Sequence, residues 1–325
     1  MASTTDPAPQ VGDRDHHFPG HLRQLHWSTW RGVLFRSVRN FVSDNCADWA
    51  AALTYYGVLA LFPSAIVIVA LVGLVSNGEE TIPTIAGLAK DVGAGSVVAN
   101  DAVLKVLRDV VNSESAKVLL SFGLLAALWS ASGYVGAFTR ASNAIYGVAE
   151  GRPFYRLRPL QLGLSAIALL LLAVVAAGLI VSGPVAHAVG DALHLGDAPR
   201  TAWTVAKWPV LVAIMMLLLS LLFWIAPNVQ QPRFRWLTVG GAVALFSWAV
   251  VSAGFGFYVS RFDSYNVTYG SLGAIIAFLV WLYLSNCAVM LGVEINAELQ
   301  RGRAIQGGAE SPVQPALPPK SPAGS

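Results

Sequence analysis

The residues of this chain that could carry chemistry are few and far apart. Hydrolysis by a metal enzyme needs several His, Asp or Glu ligands that converge on one or two ions. The sequence contains no HxH pair, no HExxH motif and no cluster of carboxylates. Its histidines are scattered: His16, His17, His21 and His26 near the start, and His187 and His194 much later. The pattern therefore predicts no metal site and no cofactor.

Nucleophilic catalysis has no better support. The sequence lacks the GxSxG turn on which α/β-hydrolases present a serine, and no histidine falls in an apolar stretch. Cys46 and Cys287 form neither a CxxC motif nor a zinc-type spacing. We expect both to be small thiols buried in a membrane, and we expect the chain not to be an enzyme.

The polar residues that remain lie in or beside apolar stretches, where they could shape a cavity or a gate. An amide is costly to bury without a partner, so Asn286 is a site candidate. Asp48, Arg140 and Glu294 fall near the inner ends of these stretches and could form a gate there. The full candidate set is Asn45, Asp48, Pro63, Trp129, Arg140, Asn143, Tyr265, Tyr269, Gly270, Gly273, Asn286 and Glu294.

Several of these positions have a purely structural alternative. Small residues such as Gly254 and Gly256 are typical of close helix packing in membranes, and they could equally border a solute path. Tyr265 and Tyr269 either cap the last helix and anchor it at the headgroups or line an outer opening.

Glu294 and Glu298 are one helical turn apart, and Arg301 follows on the same side. Carboxylates near a helix C-terminus oppose the helix dipole, so they call for a basic partner such as Arg140 or another loop arginine. A plain solvated face is the alternative.

Long apolar stretches must position these residues. The chain is 55% hydrophobic and only 12% charged, whereas about a quarter of residues are charged in soluble proteins. A helix of about 20 apolar residues crosses a hydrocarbon core of roughly 30 Å. The stretches predict an all-α polytopic membrane protein with six transmembrane helices, at about 49–75, 118–139, 160–182, 208–226, 237–260 and 271–293. Pro63 lies inside the first and predicts a kink or a tilt.

The flanking segments are polar. Residues 1–27 and 304–325 are predicted to be disordered cytoplasmic tails around a membrane domain at 28–303, and no signal peptide is expected. Residues 30–42 predict an amphipathic helix whose Arg36 and Arg39 face anionic lipid. That helix lies flat in the headgroup region, packs on the end of the bundle, or does both. Residues 77–117 leave the membrane and predict two short helices over its outer opening.

The basic residues set the orientation. The inner side would hold Arg14, Arg23, Arg31, Arg36, Arg39, Arg140, Arg152, Arg156, Arg158, Arg233, Arg235, Arg301, Arg303 and Lys320, which are 14 of the 21 basic residues. This bias satisfies the positive-inside rule with both termini in the cytoplasm. A net charge of +3 is too small to indicate nucleic acid. The expected partners are membrane lipids with anionic headgroups at the cytoplasmic face, and envelope proteins.

Three parts of the sequence resemble the YihY/BrkB family of bacterial membrane proteins, which is sometimes labelled "ribonuclease BN". The last apolar stretch begins with Tyr-Gly-Ser-Leu-Gly at 269–273 and ends with Gly-Val-Glu-Ile-Asn-Ala-Glu at 292–298. The first contains Ala-Ala-Leu-Thr-Tyr-Tyr-Gly-Val-Leu-Ala-Leu-Phe-Pro at 51–63, and the second has Leu-Trp-Ser at 128–130 followed by Arg140, Asn143 and Tyr146. The resemblance implies a bacterial inner-membrane location and a helical fold, and little chemistry.

Two functions fit these observations. The first is a transporter or flippase-like protein that moves or accommodates an amphipathic, lipid-like solute in envelope biogenesis, because a charge-poor path suits an apolar tail better than an ion. The second is a non-transporting scaffold for envelope assembly, which would dock partners through residues 77–117 and the basic inner loop. The ribonuclease label finds no catalytic or metal cluster in this sequence.

Overall fold

The computed structural model describes residues 26–75, 116–180, 198–231, 234, 236–261, 265–306 and 317–322. Within those ranges the regular structure consists of seven helices and one isolated antiparallel bridge between Val229 and Pro319. The helices are α1 Trp27–Ser43, α2 Cys46–Val75, α3 Ala116–Tyr146, α4 Phe154–Ile180, α5 Ala198–Ile225, α6 Val239–Arg261 and α7 Tyr265–Gln306. The all-α prediction is confirmed.

Five of the described helices, α3 to α7, contain a segment long and apolar enough to cross a membrane. Large apolar side chains such as Phe122, Leu170 and Phe246 lie on their outer surface, where a bilayer would cover them. Helix α2, the predicted first span, is not among the five; it runs for 30 residues with Pro63 inside it. The polytopic membrane architecture is thus confirmed, while the count of six spans and the kink at Pro63 stay predictions.

The helices pack into a bundle whose main core joins α2, α3, α5 and α7. Leu53, Phe138, Phe223 and Met290 lie in this core, and the rings of Phe138 and Phe223 stack with their centroids 5.9 Å apart. One end of the bundle carries α1, the α3–α4 and α5–α6 connections and the C-terminal part of α7, which contact one another there. We call it the basic end.

Two glycines bring α6 and α7 into close contact near the basic end. A Cβ on Gly292 would lie 2.5 Å from the carbonyl oxygen of Gly240 and 2.7 Å from Ala244 Cβ. The backbone N–H of Gly240 also donates to Asn296 Oδ1 at 2.9 Å. By contrast, a Cβ on Gly254 or Gly256 would meet nothing within 4 Å. Close packing in this structure is therefore carried by a different glycine pair from the one that the sequence pattern indicated.

Helix α1 packs on the C-terminal half of α7. Val33 is buried against Ile295 and Leu299, while Leu34 and Val38 of the same helix stay exposed, as a helix at a membrane surface would have them. The prediction that Arg36 faces lipid is wrong. Its guanidinium points toward α7, where Nε donates a hydrogen bond to Glu298 Oε2 at 2.6 Å.

The predicted disorder of residues 304–325 does not hold throughout. Residues 304–306 continue α7, and residues 317–322 lie against the α5–α6 connection. There the backbone N–H of Gln230 donates to Pro318 O at 2.8 Å and that of Lys320 to Asn228 O at 3.1 Å. Backbone groups left unpaired after α5 need partners, and an extended Pro-rich strand supplies them.

Some expectations lie outside the described residues. They are the tail at 1–25, the outer segment up to residue 115, and His187 and His194.

Candidate functional site

Asn286 lies inside the bundle with its side-chain amide occupied by protein partners. The residue is 3% exposed. Its Oδ1 accepts a hydrogen bond from the Tyr134 hydroxyl at 2.9 Å, and its Nδ2 donates to Thr54 Oγ1 at 3.1 Å. Thr54 in turn donates to the carbonyl oxygen of Ala50 at 2.8 Å. This network ties α7 to α2 and α3, and it meets the cost of burying the amide without a ligand.

Glu298 is the best-satisfied carboxylate at the basic end. It is fully buried, at 0% exposure. Arg36 Nε donates to Oε2 at 2.6 Å and Asn40 Nδ2 donates to Oε1 at 2.9 Å, both from α1. Arg301, one turn further along α7, also donates to Oε1. The basic partner expected for this face is thus Arg36 together with Arg301. It is not Arg140, and the face is not a solvated one.

Glu294, one turn earlier on α7, is buried to the same degree but is not neutralised in this way. It is 1% exposed, and its Oε2 has no hydrogen-bond partner among the described residues. The Oδ2 of Asp44, at the C-terminal end of α1, is likewise buried without a described partner. Burial raises the pKa of Asp44; Arg301 opposes the rise and Glu298 adds to it. The described ranges hold no group of three metal-ligating side chains.

Asn143 links the two connections of the basic end. Its Oδ1 accepts from the backbone N–H of Asn228 at 2.7 Å, and its Nδ2 donates to Glu150 Oε2 at 2.9 Å. Glu150 forms a two-pronged ion pair with Arg152, at 2.8 and 2.7 Å, and Arg152 Nη2 also donates to the carbonyl oxygen of Ala226 at 2.7 Å. Burial alone would raise the pKa of Glu150, but the hydrogen bonds and charge of Arg152 outweigh it and lower that pKa.

The C-terminal segment completes this network. Asn228 Nδ2 donates to the carbonyl oxygens of Ala149 and Ser321 at 3.0 and 2.8 Å. Lys320 Nζ donates to the carbonyl oxygens of Pro227 at 3.0 Å and Trp224 at 3.2 Å, and so caps the C-terminus of α5. Burial, with the charge of Arg152, lowers the pKa of Lys320 to about 8.

Arg140, which is exposed, and Arg158, which is partly buried, lie where α3 and α4 meet. The guanidinium of Arg158 lies 4.3 Å from the centroid of the Trp129 ring, and its Nη1 donates to Gln161 Oε1 at 3.3 Å. The guanidinium of Arg140 lies 6.0 Å from the centroid of the Tyr56 ring. We call the surface formed by Tyr56, Trp129, Arg140, Arg158 and Gln161 the arginine groove.

The other candidate residues are not brought together with these. Asn45 has a left-handed backbone (φ 52°) between α1 and α2, and both it and Asp48 are exposed. Pro63 and Gly273 are partly buried within α2 and α7. Tyr265, Tyr269 and Gly270 lie in the first turns of α7, and the two tyrosine side chains lie outside the described part of the structure.

Sequence reasoning missed two polar residues that the structure places at the centre of these networks. Asn228 is fully buried and Gln161 is 6% exposed. A signal for Asn228 was present, because an Asn directly after a helix end can satisfy orphaned backbone groups. For Gln161 the signal was a lone amide inside an apolar stretch, the same feature that marked Asn286.

The fold and these sites define an all-helical integral membrane protein whose buried charged groups, Glu294, Glu298 and Arg301, gather at one end. Comparison with known proteins agrees. The family described as "Virulence factor BrkB" matches residues 37–316. The chain therefore belongs to the BrkB family of membrane proteins.

Several curated relatives are similar over most of the chain. A protein of Bacillus subtilis (strain 168) named ribonuclease-like protein YfkH is 33% identical over 79% of this chain and 90% of its own length. A UPF0761 membrane protein of Rhodospirillum centenum is 31% identical over 84% of this chain, and one of Chromohalobacter salexigens is 28% identical over 85%. The match spans 58% and 66% of these two longer proteins. No solved structure matches.

Proposed function

We propose that this protein accommodates an amphipathic, lipid-like solute and moves it between the leaflets or toward envelope assembly. The observation that carries the proposal is the placement of polar groups. Inside the bundle the Asn286 amide bonds to the hydroxyls of Tyr134 and Thr54, and the buried charged groups Glu294, Glu298 and Arg301 lie at the basic end. A lipid can keep its tails in the bilayer while its headgroup follows polar side chains on the outer surface of the helices.

Charge-coupled transport fits this arrangement less well. Pathways for ions and protons through a membrane are usually marked by ionisable residues at mid-depth. Here the buried carboxylates Glu294 and Glu298 lie in the last turns of α7, and Glu298 is neutralised by two guanidiniums. The name of the B. subtilis relative describes that protein, and no described group of residues supports carrying hydrolysis over to this one.

A reconstitution assay tests the proposal. The purified chain in liposomes should expose inner-leaflet fluorescent phospholipid to an impermeant quencher faster than protein-free liposomes do. Trp129→Ala should slow this exposure because Trp129 lines the arginine groove. Trp208→Ala is the matched control, since Trp208 is similarly exposed but lies in α5. Lipid exposure no faster than in protein-free liposomes would reject the proposal.

The scaffold alternative predicts the opposite result. Lipid movement would be absent, crosslinking would recover a stable envelope partner, and deleting residues 77–115 would abolish function. Asn286→Ala cannot separate the two functions, because it leaves the buried Tyr134 hydroxyl without its acceptor and weakens the fold under either one.

A further inference from the structure

We propose that the arginine groove binds the phosphate of an anionic phospholipid headgroup between Arg140 and Arg158. The inference rests on the lipid-handling function proposed above, and it adds the chemistry of the headgroup and the place where it binds. The proposal is carried by three observations: where the donors of the groove converge, which arginines lack a carboxylate, and the direction in which Arg158 points.

The donors of the groove converge on one place. A Cβ on Gly136 would lie 3.3 Å from Gln161 Nε2 and 3.6 Å from Arg140 Nη1, so these two donors approach the same point on α3. The oxygen of the same amide, Gln161 Oε1, accepts a hydrogen bond from Arg158 Nη1 at 3.3 Å. Gln161 is 6% exposed, so its side chain is held in place by the surrounding helices. Two guanidiniums thus flank one fixed amide, and neither Arg140 nor Gln161 Nε2 donates a hydrogen bond to a described residue.

The two arginines also lack a carboxylate, unlike three arginines of the basic end. Arg36, Arg152 and Arg301 each have a glutamate oxygen within 4.0 Å. Among the described residues, Arg140 and Arg158 have no such ion pair; their closest charge-related contacts are with the Tyr56 and Trp129 rings. Arginine binds phosphate oxygens through parallel N–H donors, so a phosphate would complete both side chains.

The direction of Arg158 is the most informative feature. Arg158 is four residues into α4, about 6 Å from its start. Its guanidinium lies over the ring of Trp129, which precedes the end of α3 by 17 residues, so the side chain extends away from the basic end. An arginine near a membrane surface normally extends toward the headgroups, because moving a guanidinium deeper is costly. The face of Trp129 offsets part of this cost. A phosphate drawn into the groove would offset the rest.

The surroundings favour a phospholipid over a free phosphate ion. Arg140 is six residues from the end of α3, about 9 Å below the basic end. Trp129 is 66% exposed on the apolar face of α3, where Phe122 and Leu125 are exposed as well. A bound headgroup would therefore have its acyl chains beside an apolar surface. Inorganic phosphate would gain nothing from that surface.

Lipid binding to the purified full-length chain in neutral detergent tests the assignment. The probes are phosphatidylglycerol, phosphatidylcholine and inorganic phosphate, each titrated while bound lipid is counted by native mass spectrometry. The unaltered chain should prefer phosphatidylglycerol to phosphatidylcholine, and the double variant Arg140→Gln/Arg158→Gln should lose about tenfold in apparent affinity for phosphatidylglycerol, as expected when charge-assisted bonds to a phosphate are removed. Arg158→Lys keeps the charge but not the fork and should fall in between. Arg156→Gln is the matched control, since Arg156 is exposed on the same helix and lies over Tyr155.

Each outcome decides between the assignments. The site is rejected if the double variant keeps its preference, or if Arg156→Gln reduces it equally, since diffuse surface charge would then explain binding. Inorganic phosphate that displaces the lipid at equal concentration would identify a free-anion site instead. Should the double variant not fold, the single Arg158→Gln variant and Arg158→Lys give the same decision. Lipid movement that persists in the double variant would reject the arginine groove as the headgroup site and leave the proposed function intact. A phosphatidylglycerol preference in a chain that moves no lipid would reject the proposed function and leave the binding site intact.

Discussion

Glu298 has the least exposed charge at the basic end, and its surroundings explain why burial is tolerated. Two guanidiniums and one amide donate to its two oxygens. Removing one partner of a buried ion pair leaves an uncompensated charge, which costs more than the pair itself contributes. Glu294 has no comparable set of donors, so the two glutamates of one helix face should respond differently to substitution.

We predict that Glu298→Ala destabilises the protein by about 3–5 kcal/mol, because Arg301 would then be buried without its counter-charge. Thermal unfolding in detergent measures this. Arg31→Ala, which removes an exposed arginine from the same α1 helix, should change the midpoint little. A variant that unfolds at the temperature of the unaltered chain would show that the Glu298 cluster contributes nothing to stability.

A second prediction concerns pH and Asp44. Its pKa is raised above 3.8 by burial and by Glu298 against the opposing charge of Arg301, and Glu294 and Cys46 also face it. The folded protein therefore binds more protons than the unfolded chain, so this group's contribution to stability falls as pH rises through its folded pKa and is constant above it.

Asp44→Asn should consequently raise the unfolding midpoint at about pH 7.5 and make little difference at about pH 4. Parallel melts of the two proteins at both values measure this. A variant that is less stable at the higher pH, or a difference that does not change with pH, would contradict the assigned cause.

The contact between α6 and α7 depends on two glycines, and the chain provides its own control. Gly292→Ala places a methyl group 2.5 Å from the Gly240 carbonyl oxygen, so the helices must separate. Overpacking of this kind typically costs about 1–3 kcal/mol. Gly254→Ala, which meets nothing within 4 Å, should be neutral or stabilise slightly through helix propensity. Unfolding midpoints of the pair test this, and equal effects would show that the close approach is unimportant.

Helix positions were predictable from the sequence because they follow from local composition. The apolar stretch predicted at 160–182 corresponds to α4 Phe154–Ile180, and the one at 271–293 lies within α7 Tyr265–Gln306. The turns added at the start of α4 and after Val293 in α7 contain charged residues, so a search for uncharged stretches excludes them. Such a search locates the part of a helix inside the bilayer and misses the part that extends beyond it.

The partners of charged and polar side chains were not predictable, because they depend on contacts between distant parts of the chain. Arg36 and Glu298 are 262 residues apart in sequence. Residues 317–322 are predicted to be disordered because their Pro and Ser residues give no local signal of structure; their order comes from the bridge between Val229 and Pro319. Among the candidate site residues, the sequence could mark Arg140 and Trp129 individually, but only the structure brings them together around Gln161.

The orientation of the molecule is a prediction from charge, and the structure sharpens it. The structure gathers α1, the α3–α4 connection and residues 317–322 at one end, so these basic parts must share one side of the membrane. The positive-inside rule then predicts that this side is cytoplasmic. The C-terminal end of α4 and the N-terminal end of α5 would then face outward.

We therefore predict that a cysteine introduced at Ser321, in a chain whose Cys46 and Cys287 are replaced by serine, is not labelled by an impermeant maleimide in intact cells. It should be labelled once the membrane is permeabilised, whereas a cysteine at Ser182 should be labelled in intact cells. A cysteine at Ser43, which is exposed at the end of α1, should behave like the one at Ser321, because both lie at the basic end. Labelling of Ser43 and Ser321 from opposite sides would contradict the packing of the bundle itself, and labelling of both from outside would reverse the orientation while leaving the fold unchanged.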